Sequence, residues 1–189
     1  MQTANVVPPW AVRVVGAVSL LCMPAVALAD HWTEWYSEED GDLICPPYQV
    51  ARGFGCLGDY CDSVRLLCWH TFGNIEFSNY YWSQYISEET YTDDWNVQQH
   101  ICTGPGGALG VVNGVSCDGP YCDNISLHCQ KINVPLDHCI WTDWMSEEQG
   151  SIVFPDPIGY SRPRWLVGLE CRGDYCDEKR FYACAPSTW

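Results

Sequence analysis

An aromatic segment and a cysteine loop alternate three times along this chain, always in the same order. The aromatic openers are Trp32-Thr33-Glu34-Trp35-Tyr36-Ser37-Glu38-Glu39, Trp82-Ser83-Gln84-Tyr85-Ile86-Ser87-Glu88-Glu89 and Trp141-Thr142-Asp143-Trp144-Met145-Ser146-Glu147-Glu148. The loops are Cys56-Leu57-Gly58-Asp59-Tyr60-Cys61-Asp62, Cys117-Asp118-Gly119-Pro120-Tyr121-Cys122-Asp123 and Cys171-Arg172-Gly173-Asp174-Tyr175-Cys176-Asp177. Such repetition means one structural unit copied three times. A unit of roughly 50 residues is too small to bury its own apolar face, so the copies must share a core.

Within each copy the pattern is that of β-strands. Val64, Leu66 and Cys68 alternate with Ser63, Arg65 and Leu67, and Ile125, Leu127 and Cys129 recur with the same period of two. Before each loop, Val50, Gly53 and Phe54 match Val111, Gly114 and Val115, then Trp165, Gly168 and Leu169. Gly and Pro fill the connections, as in Pro46-Pro47 and Gly104-Pro105-Gly106-Gly107, and no segment shows a capped helical period. Each copy has room for about four strands. The chain is therefore expected to be all-β, with three antiparallel sheets around one core.

The first 29 residues read as a secretory signal peptide. Arg13 is the one charged side chain ahead of Asp30, an apolar run spans 14–29, and Ala27-Leu28-Ala29 offers a small-x-small cleavage site. The run is too short for a spanning helix and Pro24 interrupts it. A lipid anchor on Cys22 is disfavoured because Leu21 stands where such signals place a small residue. Cleavage after Ala29 removes Cys22 and takes thirteen cysteines to twelve; it removes Arg13 and takes the formal charge from −15 to −16. Residues 30–189 then form a single domain of three repeats, about 30–79, 80–138 and 139–189. The expected location is secreted or extracellular, or periplasmic in a bacterial source, with no membrane insertion.

Twelve cysteines in an exported chain read as a disulfide framework. The register assigns short clips Cys56–Cys61, Cys117–Cys122 and Cys171–Cys176, and long bridges Cys45–Cys68, Cys102–Cys129 and Cys139–Cys184. In the third copy Cys184 takes the place of Cys68 and Cys129, while the early cysteine is missing and Cys139 precedes the opener. Zinc is the rival use of these residues, but structural zinc sites favour closer Cys spacing and reduced compartments. Composition excludes more. A field this acidic repels phosphate, so no nucleic-acid partner is expected. At 47% hydrophobic and 14% aromatic residues, disorder is not expected either.

The repeated pattern resembles the vitelline membrane outer layer protein family. The residues that carry the resemblance are Trp32, Trp35, Cys45-Pro46-Pro47-Tyr48, Asp62 and Val64 to Cys68, with Trp82, Cys102, Asp123 and Ile125 to Cys129 in the second repeat, and Trp141, Trp144, Asp177 and Arg180 to Cys184 in the third. The resemblance implies a β-prism, in which three four-stranded sheets surround a pseudo-threefold axis. It departs from that family where the Cys-x-Gly-x-Tyr-Cys-Asp clip replaces the family's Asp-Asp-Thr-Ala-Leu-Asn segment.

The clip is the candidate binding surface. Asp59, Tyr60, Asp62, Tyr121, Asp123, Asp174, Tyr175 and Asp177 would stand on three equivalent rigid loops. A Tyr ring gives a sugar an apolar face and a hydroxyl, and Asp accepts bonds from sugar hydroxyls. The Asp after each clip could instead cap the turn. The opener aromatics are expected to pack in the core, because the same positions are aromatic in every copy. No cofactor is expected. The Ser-Glu-Glu triplets carry hard oxygen ligands that would suit calcium, but no spaced calcium loop accompanies them. The five histidines do not recur in register, and no Gly-x-Ser-x-Gly or His-Glu-x-x-His motif occurs. Asn124-Ile125-Ser126 is an N-glycosylation sequon. The function expected is a secreted, non-catalytic, lectin-like protein whose partner is a glycan or a matrix or cell-surface component. A structural coat protein and a glycan-processing enzyme are the alternatives.

Overall fold

A computed structural model describes residues 30–71, 75–87, 98–159 and 161–187; the signal segment and Glu88-Glu89 of the second opener lie outside them. The strands are β1 His31–Trp32, β2 Tyr36–Ser37, β3 Asp42–Ile44, β4 Gln49–Leu57, β5 Ser63–His70, β6 Phe77–Trp82, β7 Gln98–Ile101, β8 Val111–Asp118, β9 Asn124–Ile132, β10 Leu136–Trp141, β11 Ser151–Val153, β12 Trp165–Arg172 and β13 Glu178–Pro186. They form three antiparallel sheets, ordered β1-β5-β4-β11 with β2 also on β5, β3-β8-β9-β6, and β10-β13-β12-β7.

The sheets are not built one per repeat. Each takes its opener strand and its long hairpin from one repeat and its fourth strand from the repeat before. Thus β3 leaves the first repeat for the second sheet, β7 leaves the second for the third, and β11 leaves the third to close on the first. No repeat completes a sheet alone, and the ring closes only when all three are present.

The glycine repeated in each hairpin follows from this exchange. An ideal Cβ on Gly53 would lie 2.6 Å from Ile152 O, on Gly114 2.8 Å from Leu43 O, and on Gly168 2.6 Å from His100 O. All three carbonyls belong to the incoming strand. Each glycine also follows a register shift in its hairpin, after Ala51, Val112 or Leu166.

The inner faces of the sheets meet in one cluster that includes Phe54, Leu66, Val115, Leu127, Leu169 and Phe181. Each large apolar side chain taken from water here contributes about 1.5–3 kcal/mol. A second cluster, Val50, Val111 and Trp165 with Ile75 and Ile132, closes the end opposite the clips.

The six disulfides pair as the register assigned them. Cys45 and Cys102 directly follow the exchanged strands β3 and β7, so Cys45–Cys68 and Cys102–Cys129 staple each exported strand back to its own repeat. On the chain-entropy model each is worth about 3–4 kcal/mol.

One correspondence is corrected. Ala51 pairs with Cys68 and Val112 with Cys129, but Leu166 pairs with Ala183. The counterpart of Cys68 and Cys129 is therefore Ala183, and Cys184 lies one residue on, facing the other side of the sheet. There it joins Cys139 of the neighbouring β10. The missing early cysteine is replaced by Phe154. Its N–H donates to Arg52 O as those of Cys45 and Cys102 donate to Asn113 O and Val167 O. Phe154 is fully buried and its ring centroid lies 5.6 Å from that of Phe181.

Candidate functional site

Each clip folds for reasons visible in its own residues. The glycine opens the loop with positive φ: 84° at Gly58, 76° at Gly119 and 79° at Gly173. A Cβ there would also collide with a carboxylate, since it would lie 1.9 Å from Asp62 Oδ1, 2.2 Å from Asp123 Oδ1 and 2.1 Å from Asp177 Oδ1. The Asp after the second cysteine thus folds back onto the glycine and holds the turn. Its own N–H donates to the carbonyl of Asp59, Pro120 or Asp174. Between them a tight 3-10 turn carries Tyr60-Cys61, Tyr121-Cys122 and Tyr175-Cys176, all at left-handed φ. Each such residue costs about 1 kcal/mol, and the clip disulfide closes the loop around them.

The three clips come together at one end of the molecule. The ring centroids of Tyr60 and Tyr121 are 5.4 Å apart, of Tyr60 and Tyr175 5.1 Å, and of Tyr121 and Tyr175 5.5 Å, with tilted or edge-on planes. Edge contacts of this kind suit the ring quadrupoles. The tyrosines meet on the pseudo-threefold axis and remain 36% to 40% exposed. Asp59 and Asp174 stand exposed beside them, and Pro120 takes that place in the second clip. Of the residues singled out from sequence, Tyr60, Tyr121, Tyr175, Asp59 and Asp174 therefore form one surface. Asp62, Asp123 and Asp177 lie behind it. Asp123 is buried and accepts a 2.8 Å bond from Asn124 Nδ2, the sequon amide. Burial raises the Asp177 carboxyl above its usual range, against a hydrogen bond from the Glu178 amide.

Lys179 was not foreseen. It pairs with Cys171 as Val64 pairs with Cys56 and Ile125 with Cys117, so a lysine occupies an aliphatic core position beneath the clips. It is wholly buried, and its ammonium donates to Cys176 O. Burial pushes its pKa down to about 8, against the attraction of the Asp177 and Glu147 carboxylates. The departure from the Val/Ile pattern at an inward strand position was the signal.

Of the opener aromatics only Tyr36 packs against the core, at the position of Ile86 and Met145; Trp32, Trp35, Trp82, Tyr85, Trp141 and Trp144 lie on the outer faces of the sheets. The Arg65 guanidinium sits 4.5 Å from the Trp32 ring centroid and 4.2 Å from that of Trp35. Arg180 lies 5.1 Å from Trp141 and 4.7 Å from Trp144, and Arg172 4.1 Å from Trp144. In the first and third repeats these rings stack on outward-facing guanidinium groups, and in the second Trp82 lies 4.7 Å from the His128 ring instead.

The serines of the first and third Ser-Glu-Glu triplets begin turns. Ser37 N–H donates to Asp40 Oδ2 at 3.0 Å, and Ser146 shares a capping box with Gln149. Among the described residues no three His, Cys, Asp or Glu side chains converge as an ion site, and no helix is long and apolar enough to cross a membrane. Comparison of the chain with family models, with curated proteins and with solved structures finds no match.

Proposed function

We propose that the clip pole is the ligand surface of a secreted, non-catalytic, carbohydrate-binding protein of lectin type. The observation that carries this reading is the meeting of Tyr60, Tyr121 and Tyr175 on one axis, half-exposed and flanked by Asp59 and Asp174. A sugar ring has apolar C–H faces and hydroxyls at its rim. The tyrosines offer the first a rigid aromatic partner, and the carboxylates accept bonds from the second. The backbone is fixed by three disulfides, so little ordering entropy is lost on binding.

The non-catalytic part of the reading draws on Lys179, the strongly shifted group near the pole. It is buried away from any solute, whereas a general base must reach its substrate. Six disulfides favour an oxidising, extracellular location. We further propose that the chain is a divergent relative of the vitelline membrane outer layer proteins, with the threefold all-β arrangement as the support.

A glycan array tests the function, read with and without calcium and with the Tyr60→Ala/Tyr121→Ala/Tyr175→Ala variant alongside. The expected result is binding to a defined set of glycans that the variant loses. Binding to no glycan, or binding that the variant retains, would sink the reading.

A further inference from the structure

Every disulfide lies within one repeat. Cys45–Cys68 and Cys56–Cys61 belong to the first, Cys102–Cys129 and Cys117–Cys122 to the second, and Cys139–Cys184 and Cys171–Cys176 to the third. Apart from the chain itself, the repeats hold one another by strand pairing and core packing. The junction of the third repeat with the first carries the least support. The strand that closes it, β11, is followed by Phe154, where β3 and β7 are followed by the stapling cysteines Cys45 and Cys102.

At the clip pole the repeats meet side chain to side chain. The Tyr60 and Tyr175 rings, from the first and third repeats, lie closest, with centroids 5.1 Å apart and planes at 55°. Tyr121 of the second repeat stands 5.4 Å from Tyr60 and 5.5 Å from Tyr175, at 62° and 68°. All three rings are partly exposed, so an oxidant reaches them from solvent. The twelve cysteines of residues 30–189 are all paired, so no thiol there competes for it.

We propose that Tyr60, Tyr121 and Tyr175 form an oxidative cross-linking site, at which two of the rings, chiefly Tyr60 and Tyr175, join through the carbons ortho to their hydroxyls as a dityrosine. The oxidant is hydrogen peroxide acting through a haem peroxidase. Each phenol loses one electron and its hydroxyl proton, and the unpaired spin spreads to the ortho carbons. Those carbons bond, and each then gives up its hydrogen as the hydroxyl re-forms. Two C–H bonds are lost and one C–C bond is made; the two electrons and two protons turn one peroxide into two waters. Tyrosyl radicals on separate molecules must meet by diffusion, whereas rings already in contact couple without it. The observed tilt suits the product, because rings joined beside their hydroxyls sit twisted about the new bond. A Tyr60–Tyr175 bond would close the junction of the third and first repeats covalently. The proposal needs only ring contact and does not rest on sugar binding, so its test contains no sugar.

The full mature chain, kept dilute to suppress reaction between molecules, is treated with a haem peroxidase and hydrogen peroxide. Chains are separated by size under denaturing, reducing conditions. The expected product is a monomer with dityrosine fluorescence, lighter by two hydrogens, in which tandem mass spectrometry finds Tyr60 joined to Tyr175 or either of them joined to Tyr121. Tyr60→Phe/Tyr175→Phe keeps the packed rings but leaves Tyr121 without a phenol partner, and it is expected to lose the monomer signal. A thermal scan shows whether this variant folds; if it does not, the linked residues in the natural protein decide. Tyr48, Tyr80 and Tyr85 are also exposed and provide the contrast. Dityrosine found only in dimers and larger species, or a monomer joined through tyrosines outside the pole, would overturn the proposal. So would a monomer signal that the folded double variant retains.

Discussion

The clip pole and the outer sheet faces obey the same threefold relation and have met different fates. At the pole the copies touch one another. Tyr60, Tyr121 and Tyr175 pack ring on ring, so a change in one must fit the other two. On the outer faces the equivalent positions never meet, and they differ: Arg65, Ser126 and Arg180 hold one register position. Contact between copies preserves symmetry, and its absence lets each repeat change alone. The pole is one composite surface, whereas the faces are three separate ones.

The largest effect that tests this contrast is expected off the axis. Phe154→Ala opens a cavity where the other repeats have a disulfide, and it loosens β11, the strand that closes the ring. It should cost about 3–5 kcal/mol in denaturant unfolding; a loss below 1 kcal/mol would show that β11 is held some other way. On the axis, Gly119→Ala places a side chain at φ 76° against the buried Asp123 carboxylate. About 2–3 kcal/mol should be lost, and the Tyr triad should loosen with it, seen as changed near-ultraviolet dichroism.

Lys179 breaks the symmetry beneath the pole, and Lys179→Ile would restore the aliphatic pattern of Val64 and Ile125. A buried charge replaced by a fitting apolar group should stabilise the protein by about 1–3 kcal/mol at pH 7. The pH dependence has a definite sign. The folded-state pKa near 8 lies below the ordinary lysine value of 10.5, so between these values the unfolded chain binds the extra proton. Stability of the natural protein should therefore rise with pH from about 8 to 10.5, and the variant should lose this rise. A flat profile in the natural protein would refute the burial argument. The smallest effect is expected on an outer face: Arg65→Ala removes two ring contacts at the half-exposed surface and should cost about 0.5–1 kcal/mol.

Much of this architecture is legible in the sequence, because the repeat supplies three readings of each position. The clips, the disulfide pairs and the long hairpins follow from cysteine register and period-two strands. The exchanged strands do not, since Asp42–Ile44 and Ser151–Val153 are too short to show a period. Gly53, Gly114 and Gly168 were their trace, as mid-strand glycines mark a close backbone approach. The outward Trp positions were hidden for a similar reason: a two-residue strand at His31–Trp32 cannot show which face is wet. The partner that decided it, Arg65, stood in plain view at an outward position of β5. That the clips converge could not be read at all, because it depends on how three sheets close.

Convergence is the claim on which the function rests, and binding stoichiometry tests it most directly. Calorimetric titration of the mature protein with a short oligosaccharide taken from its array profile should give one ligand per chain. Tyr60→Ala, Tyr121→Ala and Tyr175→Ala should each weaken that single event. Three independent ligands per chain, or one event that none of the three substitutions touches, would contradict a composite site on the axis.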